Sequence, residues 1–383
     1  MKFLAIAFLA FIFLSSCKKN EQTDNSKYEN YLLFEGGIGL SNNSTIVTSD
    51  GNLVTCGTTS SGHKFIILKT TKSGALIWRK ETEEGYLSSA NGIVELDGCF
   101  YICGTTSMHI TIAKKDIIVT KLSSSGETIW SKAYGGNLNE YSANIIKTSD
   151  GNLLISGRSE SFTETSTSDL YLSKINQDGI QIWSKTYVGG ITEFPAHLIE
   201  TQNGEYLVTG TVYDSGIDLN QILLFKVDSA GEKIMESRSD FTYRKIGVST
   251  LELENEDLLI CGYQKFDDEI QLLIVKTDNL GNVIWEKTFG EINLKDYGQT
   301  IKQNTDGTFT IIAASYSYEK TNFDILHLKI DNEGNQLSMK YFDASTSVSP
   351  TNLILDDNGD NIITGQLSKW IFITRTDKDG EFY

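Results

Sequence analysis

The densest run of oxygen donors in this sequence is DDNGDN, Asp356 to Asn361, and a calcium loop is the first chemistry it suggests. An EF-hand loop that opened at Asp356 needs a bidentate Glu at its twelfth position, which Leu367 occupies. The run reads instead as an Asn-Gly hairpin turn of a kind found elsewhere in the chain. The four histidines, His63, His109, His197 and His327, show no metal-ligand spacing, and neither GxSxG nor HExxH occurs. Five cysteines are present, without a CxxC pair. Cys56, Cys103 and Cys261 each precede a glycine, and Cys99 and Cys103 lie about 13 Å apart on one face of a strand at 3.3 Å per residue, too far to bridge. These four cysteines therefore read as small buried hydrophobes. No metal and no cofactor is called for by these residues.

Two regularities carry more information. Lys69, Lys121, Lys174, Lys226, Lys276, Lys329 and Arg375 each stand five residues before a turn glycine. They could form an anion-binding ring, but their place beside a turn favours long stems packed on neighbouring strands and heads paired with turn carboxylates. The second regularity comprises Ser44, Asn91, Asn144, His197, Ser249, Thr300 and Asn352, each seven residues before a hairpin glycine or its equivalent. All are polar and none is charged with histidine neutral. The aromatic loop residues Phe162, Tyr213, Tyr263, Phe266, Tyr316 and Tyr318 belong to the same end of each unit. Amides and hydroxyls beside aromatic rings suit a sugar or a peptide. Of these residues, Asn91, Asn144, His197 and Asn352 with Tyr213, Tyr263, Tyr316 and Tyr318 form the candidate binding face. No catalytic residue is assigned, although loop carboxylates such as Asp214, Asp267 and Asp268 could converge.

The elements that position these residues repeat. A turn glycine recurs at Gly74, Gly126, Gly179, Gly231, Gly281, Gly334 and Gly380, about fifty residues apart. A second turn recurs at Asp50-Gly51, Asp97-Gly98, Asp150-Gly151, Asn203-Gly204, Asp306-Gly307 and Asn358-Gly359, with Glu256-Asp257 in the remaining unit. Each unit reads as strand, turn, strand, loop, strand, turn, strand. Runs such as FIIL and LLIV barely alternate, as expected of strands buried on both faces. Four short strands repeated at this period predict one all-β domain over 31–383, a seven-bladed β-propeller of four-stranded blades. The seventh unit stops at DGEFY, so the segment YLLFEGG, Tyr31 to Gly37, is expected to complete the last blade.

Ahead of the repeats, MKFLAIAFLAFIFLSSC holds one Lys and a twelve-residue apolar run, too short for a spanning helix of about 20 residues. Its Leu14-Ser15-Ser16-Cys17 tetrad resembles the lipobox of bacterial lipoproteins. The resemblance implies a signal peptide over 1–16, lipidation of Cys17, and attachment to a membrane of the bacterial cell envelope, at the outer membrane or cell surface. Residues 17–30 then form a polar tether. The net charge of −17 becomes −18 once Lys2 is removed, which excludes nucleic acid as a partner.

Four residues after the turn glycine stands Trp78, Trp130, Trp183 or Trp285, replaced by Met235 and Ser338 in two units. This spacing resembles the tryptophan-docking motif of pyrroloquinoline-quinone-type repeats, and it implies a structural ring packed between blades. The reading is of a monomeric, noncatalytic binding or scaffold propeller for a protein or glycan partner. The alternative is a quinoprotein-like oxidoreductase or a polysaccharide-active enzyme.

Overall fold

The computed structural model describes residues 31–35, 44–58, 64–81, 88–107, 114–162, 168–189, 192–214, 216, 218–240, 242–343, 347–367 and 370–382. The signal peptide, Cys17, the tether, His63 and His109 lie outside the described residues.

The described residues form an all-β, propeller-like arrangement of four-stranded antiparallel meanders. In the third unit the strands are Glu140–Lys147, Leu153–Ser159, Asp169–Ile175 and Gln181–Tyr187, paired in that order. The third strand is buried along its whole length because both faces carry apolar residues covered by neighbouring units. The outermost strands are solvent-facing: Leu76–Glu81 and Lys233–Arg238 alternate between exposed and half-buried positions.

Strand pairing gives five separate four-stranded sheets and one of eight strands, not seven separate blades. The eight-stranded sheet joins the meanders 244–289 and 294–342 through one parallel pair, Ile270 with Lys295. Glu269–Thr277 starts three residues before Leu272, the first residue paired with the outer strand, and so leaves an open edge that the long strand Leu294–Gln303 meets.

Tyr31–Glu35 pairs antiparallel with Trp370–Thr376 and supplies the fourth strand of the last sheet. The innermost strands lie side by side in sequence order, and the last, Val348–Leu355, lies against the first, Ser44–Val47. Across this closure Thr45 Oγ1 and Thr364 Oγ1 are 2.9 Å apart, and Lys72 Nζ lies 2.8 Å from Asp357 Oδ2.

The tryptophan and the turn glycine belong to one device. Gly231 holds φ +78°, and a β-carbon there would lie 3.1 Å from the Trp183 ring of the preceding unit. Trp78, Trp130 and Trp285 meet Gly126, Gly179 and Gly334 in the same way. Only glycine gives both the left-handed turn and the close approach of the ring. Where Met235 and Ser338 replace the tryptophan, Ser237 and His327 take the place beside Gly281 and Gly380. Neighbouring side chains stitch the same seam: Tyr187 Oη donates to Gly231 O at 2.8 Å, and Lys132 Nζ to Asp178 O at 2.6 Å.

Cys56, Cys103 and Cys261 are buried free thiols, and burial pushes each thiol up from its ordinary pKa. Cys99 differs from expectation in being half-buried, since it opens its strand directly after the exposed Asp97-Gly98 turn.

Candidate functional site

The polar residues at the recurring phase come together. Ser44, Asn91, Asn144, His197, Ser249, Thr300 and Asn352 line one axial cavity of about 750 Å³, each carried by a different innermost strand. Six of these strands break register at this level, for example between Ser142 and Asn144 and between Pro195 and His197. Such a β-bulge turns two successive residues toward one face. Ala143 with Asn144, Ala196 with His197, Val248 with Ser249, Gln299 with Thr300, and Thr351 with Asn352 accordingly all reach the cavity.

Asn91 is shifted by one position within this ring. It is itself the bulged residue, and Gly92, paired with Cys103, occupies the register that Asn144 holds opposite Ser156. The cause is the turn: Leu96 pairs with Cys99 across two residues, whereas Lys147 pairs with Leu153 across five.

Several amides and hydroxyls of the ring are already engaged with backbone or neighbouring strands. Asn91 Nδ2 donates to Ser142 O at 2.6 Å, and Asn144 Oδ1 accepts from the Ile145 amide at 2.7 Å. His197 Nδ1 accepts from the Thr250 amide at 3.2 Å, which assigns the proton of the neutral ring to Nε2. Burial and then the Lys302 cation lower His197 to about 4, so the ring is neutral at pH 7.

Lys302 is the feature that the recurring pattern concealed. It stands two residues beyond Thr300, at the register where the cavity wall otherwise presents Ile46, Ile146 and Ile354. It is the one ionised side chain among the described residues lining the cavity. The blades surround it, and burial pulls its pKa below the ordinary lysine value, yet its side chain remains open to channel water. The channel water limits that lowering, because a solvated ammonium loses less hydration than one in a dry core. The signal was a lone charge at a position that is aliphatic in other units.

The aromatic residues gather elsewhere at the same strand ends. Tyr263, Tyr316 and Tyr318 join Tyr297 and Phe323, with ring centroids 5.0–6.0 Å apart along the chain of contacts. Tyr297 and Phe323 were not expected, because each arrives from a different strand of the sixth unit. Lys295 Nζ sits 4.8 Å above the Tyr318 ring. Tyr213 stands apart, its hydroxyl donating to Asp218 Oδ1 at 3.0 Å, and Asp218 also pairs with Arg244. Phe162 stacks on Tyr171, and Phe266 lines a shallow surface pocket with Tyr243 and Asp267. None of these aromatic residues lines the channel cavity. Asp214, Asp267 and Asp268 do not line it either, and Asp214 accepts from the Gly216 amide at 2.8 Å.

The recurring cations are paired. Lys69 Nζ contacts Asp50 at 2.6 Å, Lys174 contacts Asp150 at 2.6 Å, and Arg375 contacts Asp356 at 2.7 Å. Lys226, Lys276 and Lys329 meet Glu205, Asp257 and Asp306 at 3.1, 3.4 and 3.4 Å. Lys121 departs from the pattern, donating to Gln177 O at 3.2 Å with its ammonium 5.1 Å from the Tyr101 ring. These heads neutralise the first hairpin turns, which leaves no free cationic ring at this phase. Among the described residues, no group of three or more His, Cys, Asp or Glu is placed to hold a metal ion.

No family model matches the sequence, and no curated protein matches it. Solved structures do match. An α-L-arabinofuranosidase from Fusarium graminearum, in complex with an iminosugar inhibitor, is 12% identical with a TM-score of 0.53, over 76% of this chain and 93% of that one. A polysaccharide lyase described as an ulvan lyase is 12% identical with a TM-score of 0.52, over 71% of this chain and 75% of that one. A protein of unknown function from Dyadobacter fermentans is 11% identical with a TM-score of 0.51, over 74% and 94%. At these identities the likeness shows the fold alone: an all-β propeller-like arrangement of four-stranded blades around an axial cavity.

Proposed function

We propose that this protein is a noncatalytic, lipid-anchored propeller that holds a glycan at the mouth of its axial channel. The observation carrying this reading is the 750 Å³ cavity whose wall presents amides, hydroxyls and one neutral imidazole drawn from every innermost strand. Such groups match the alternating donors and acceptors of sugar hydroxyls, and cavities of this size suit small ligands or a chain end. The aromatic cluster of Tyr263, Tyr297, Tyr316, Phe323 and Tyr318, which lies off the cavity wall, offers ring faces for further sugar units or for a protein partner.

We count the eight-stranded sheet as two blades, making seven, because only one residue pair joins its halves in the strand ladder and the innermost strands close a circle. The tryptophan-to-glycine seams support the likeness to tryptophan-docking repeats. Lipidation at Cys17, the tether over 17–30, a place in the bacterial envelope and a monomeric state complete the reading.

A second reading, a polysaccharide-active enzyme, is favoured by the arabinofuranosidase and lyase folds that this chain resembles. A two-carboxylate glycosidase needs Asp or Glu flanking the bond, and the described cavity lining contains neither.

The test is binding of the intact protein to immobilised glycans, with Asn144→Ala and Asn352→Ala compared against the native chain, together with chain-length analysis of bound glycans after prolonged incubation. Binding that the two variants lose, with no change in chain length, is expected. Shortened or unsaturated products would sink the noncatalytic reading in favour of the enzyme.

A further inference from the structure

Lys302 stands out when the charges of the molecule are taken together. The recurring strand cations are matched by turn carboxylates or backbone carbonyls, and lysines buried elsewhere have a partner of the same kind. Lys245, for instance, lies between Asp240 at 3.0 Å and Glu286 at 2.8 Å. Lys302 makes no ion pair or hydrogen bond among the described residues, although the chain carries 50 acidic residues against 33 basic ones. An unpaired cation that reaches into the cavity is open to an anion from a ligand, and the same register is aliphatic at Ile46, Ile146 and Ile354. The channel wall therefore presents one positive charge beside a ring of polar groups, with His197 close enough for its imidazole to sense it.

We propose that Lys302 is the recognition residue for a carboxylate on the bound glycan, so that the ligand is an acidic sugar chain that contains uronate residues. This inference rests on the glycan-binding reading above. Seated in the channel, the carboxylate accepts from the Lys302 ammonium in a charge-assisted hydrogen bond, while the sugar hydroxyls meet the ring of Asn144, Thr300 and Asn352. The neutral His197 ring offers Nε2–H as a second donor. The acidic exterior repels polyanions at long range, so selection falls to chain ends that can enter the channel and reach the one cation inside.

The experiment titrates the intact protein by calorimetry with short oligomers of galacturonate, glucuronate and mannuronate. Methyl-esterified galacturonate oligomers and neutral galactan, xylan and glucan oligomers complete the panel. Lys302→Ile is the matched variant, and it is expected to fold because isoleucine occupies this register in other units. At least one acidic oligomer is expected to bind, its ester or neutral counterpart to bind roughly tenfold or more weakly, and Lys302→Ile to lose a similar factor. A second readout is the His197 ring by NMR titration. The bound carboxylate and Lys302→Ile should each raise its pKa, by neutralising or removing the adjacent cation. Equal binding of acidic and neutral chains, indifferent to Lys302→Ile, overturns this inference and leaves the glycan reading standing. Binding of no oligomer in the panel overturns both.

Discussion

Changing Gly231 to Ala should cost more than the same change at Gly151, and the excess should vanish when Trp183 is removed. Both glycines hold φ +78°. Nothing lies within 4 Å of a β-carbon on Gly151, so Gly151→Ala meets backbone strain alone, about 1 kcal/mol. A β-carbon on Gly231 would also lie 3.1 Å from the Trp183 ring and 3.2 Å from Lys185 Cδ. The lysine stem can move aside, whereas the indole is pinned by its Nε1–H donating to Ser229 O at 3.3 Å and by the neighbouring blade. Displacing the ring adds about 1–2 kcal/mol. Trp183→Ala alone should cost about 2 kcal/mol, below the usual range for a large buried aromatic because this ring is only half-buried. In the Trp183→Ala background, Gly231→Ala should fall to the Gly151→Ala value, a coupling of about 1–2 kcal/mol. Equilibrium urea denaturation followed by far-ultraviolet circular dichroism measures all of these differences. If Gly231→Ala proves no more costly than Gly151→Ala, or its cost is the same with and without Trp183, the indole does not dock on the next unit's turn and the account of the seams is wrong.

Further expectations concern pH and the anchor. Burial, and then the negative Asp169, push Glu193 up to about 8. A carboxyl whose folded pKa exceeds its unfolded value contributes stability that is complete below about 4.5 and is lost as pH rises through about 8. Glu193→Gln should therefore remove at least about 1 kcal/mol of the stability lost between pH 5 and 8 in urea titrations, and an unchanged slope would refute the assignment. Asp150 behaves in the opposite sense. Burial alone would raise it, but hydrogen bonds from Lys174 and Thr148 hold it at about 2, so its contribution is present above about 4 and is lost as pH falls toward 2. Asp150→Asn should flatten that acid limb in thermal melts, modestly because the carboxylate is half-exposed. Detergent phase partitioning of the full chain expressed in bacteria tests the anchor. The native protein should enter the detergent phase and Cys17→Ser the aqueous one, and equal partitioning would remove the lipid from the account.

The blade pattern and the channel ring were legible because a tight hairpin fixes register, and register fixes which face each residue takes. Counting back from the hairpin glycine therefore reached Asn144, His197 and Asn352 without coordinates. It placed Asn91 one step from its structural equivalent, because turn length is a local variable that the count ignores. Lys302 escaped for a different reason: reading by repetition rewards what recurs, and this residue matters because it breaks a recurring aliphatic position. The cluster around Tyr297 and Phe323 was out of reach, since its members meet through packing across three strands of the sixth unit and, at Tyr263, onto the fifth. The joining of two meanders at Ile270 and Lys295 depends on how far two strands outrun their partners, a property of assembly rather than of either segment.

The closing strand also sets an order of events for biosynthesis. Tyr31–Glu35 leaves the ribosome before any repeat, yet its partner, Trp370–Thr376, follows only after all the repeats between them. Throughout translation the first strand must wait unpaired while meander after meander condenses behind it, each with local contacts that form quickly. That pairing then closes a loop holding every meander between the two strands, a slow step whose entropic cost grows only weakly with length. Until that step both the waiting strand and the edge of the last sheet present unpaired backbone to other chains. A nascent or truncated chain that ends before Trp370 would thus carry two open edges, making the interval before closure the time when this protein is most prone to swap strands with its own copies.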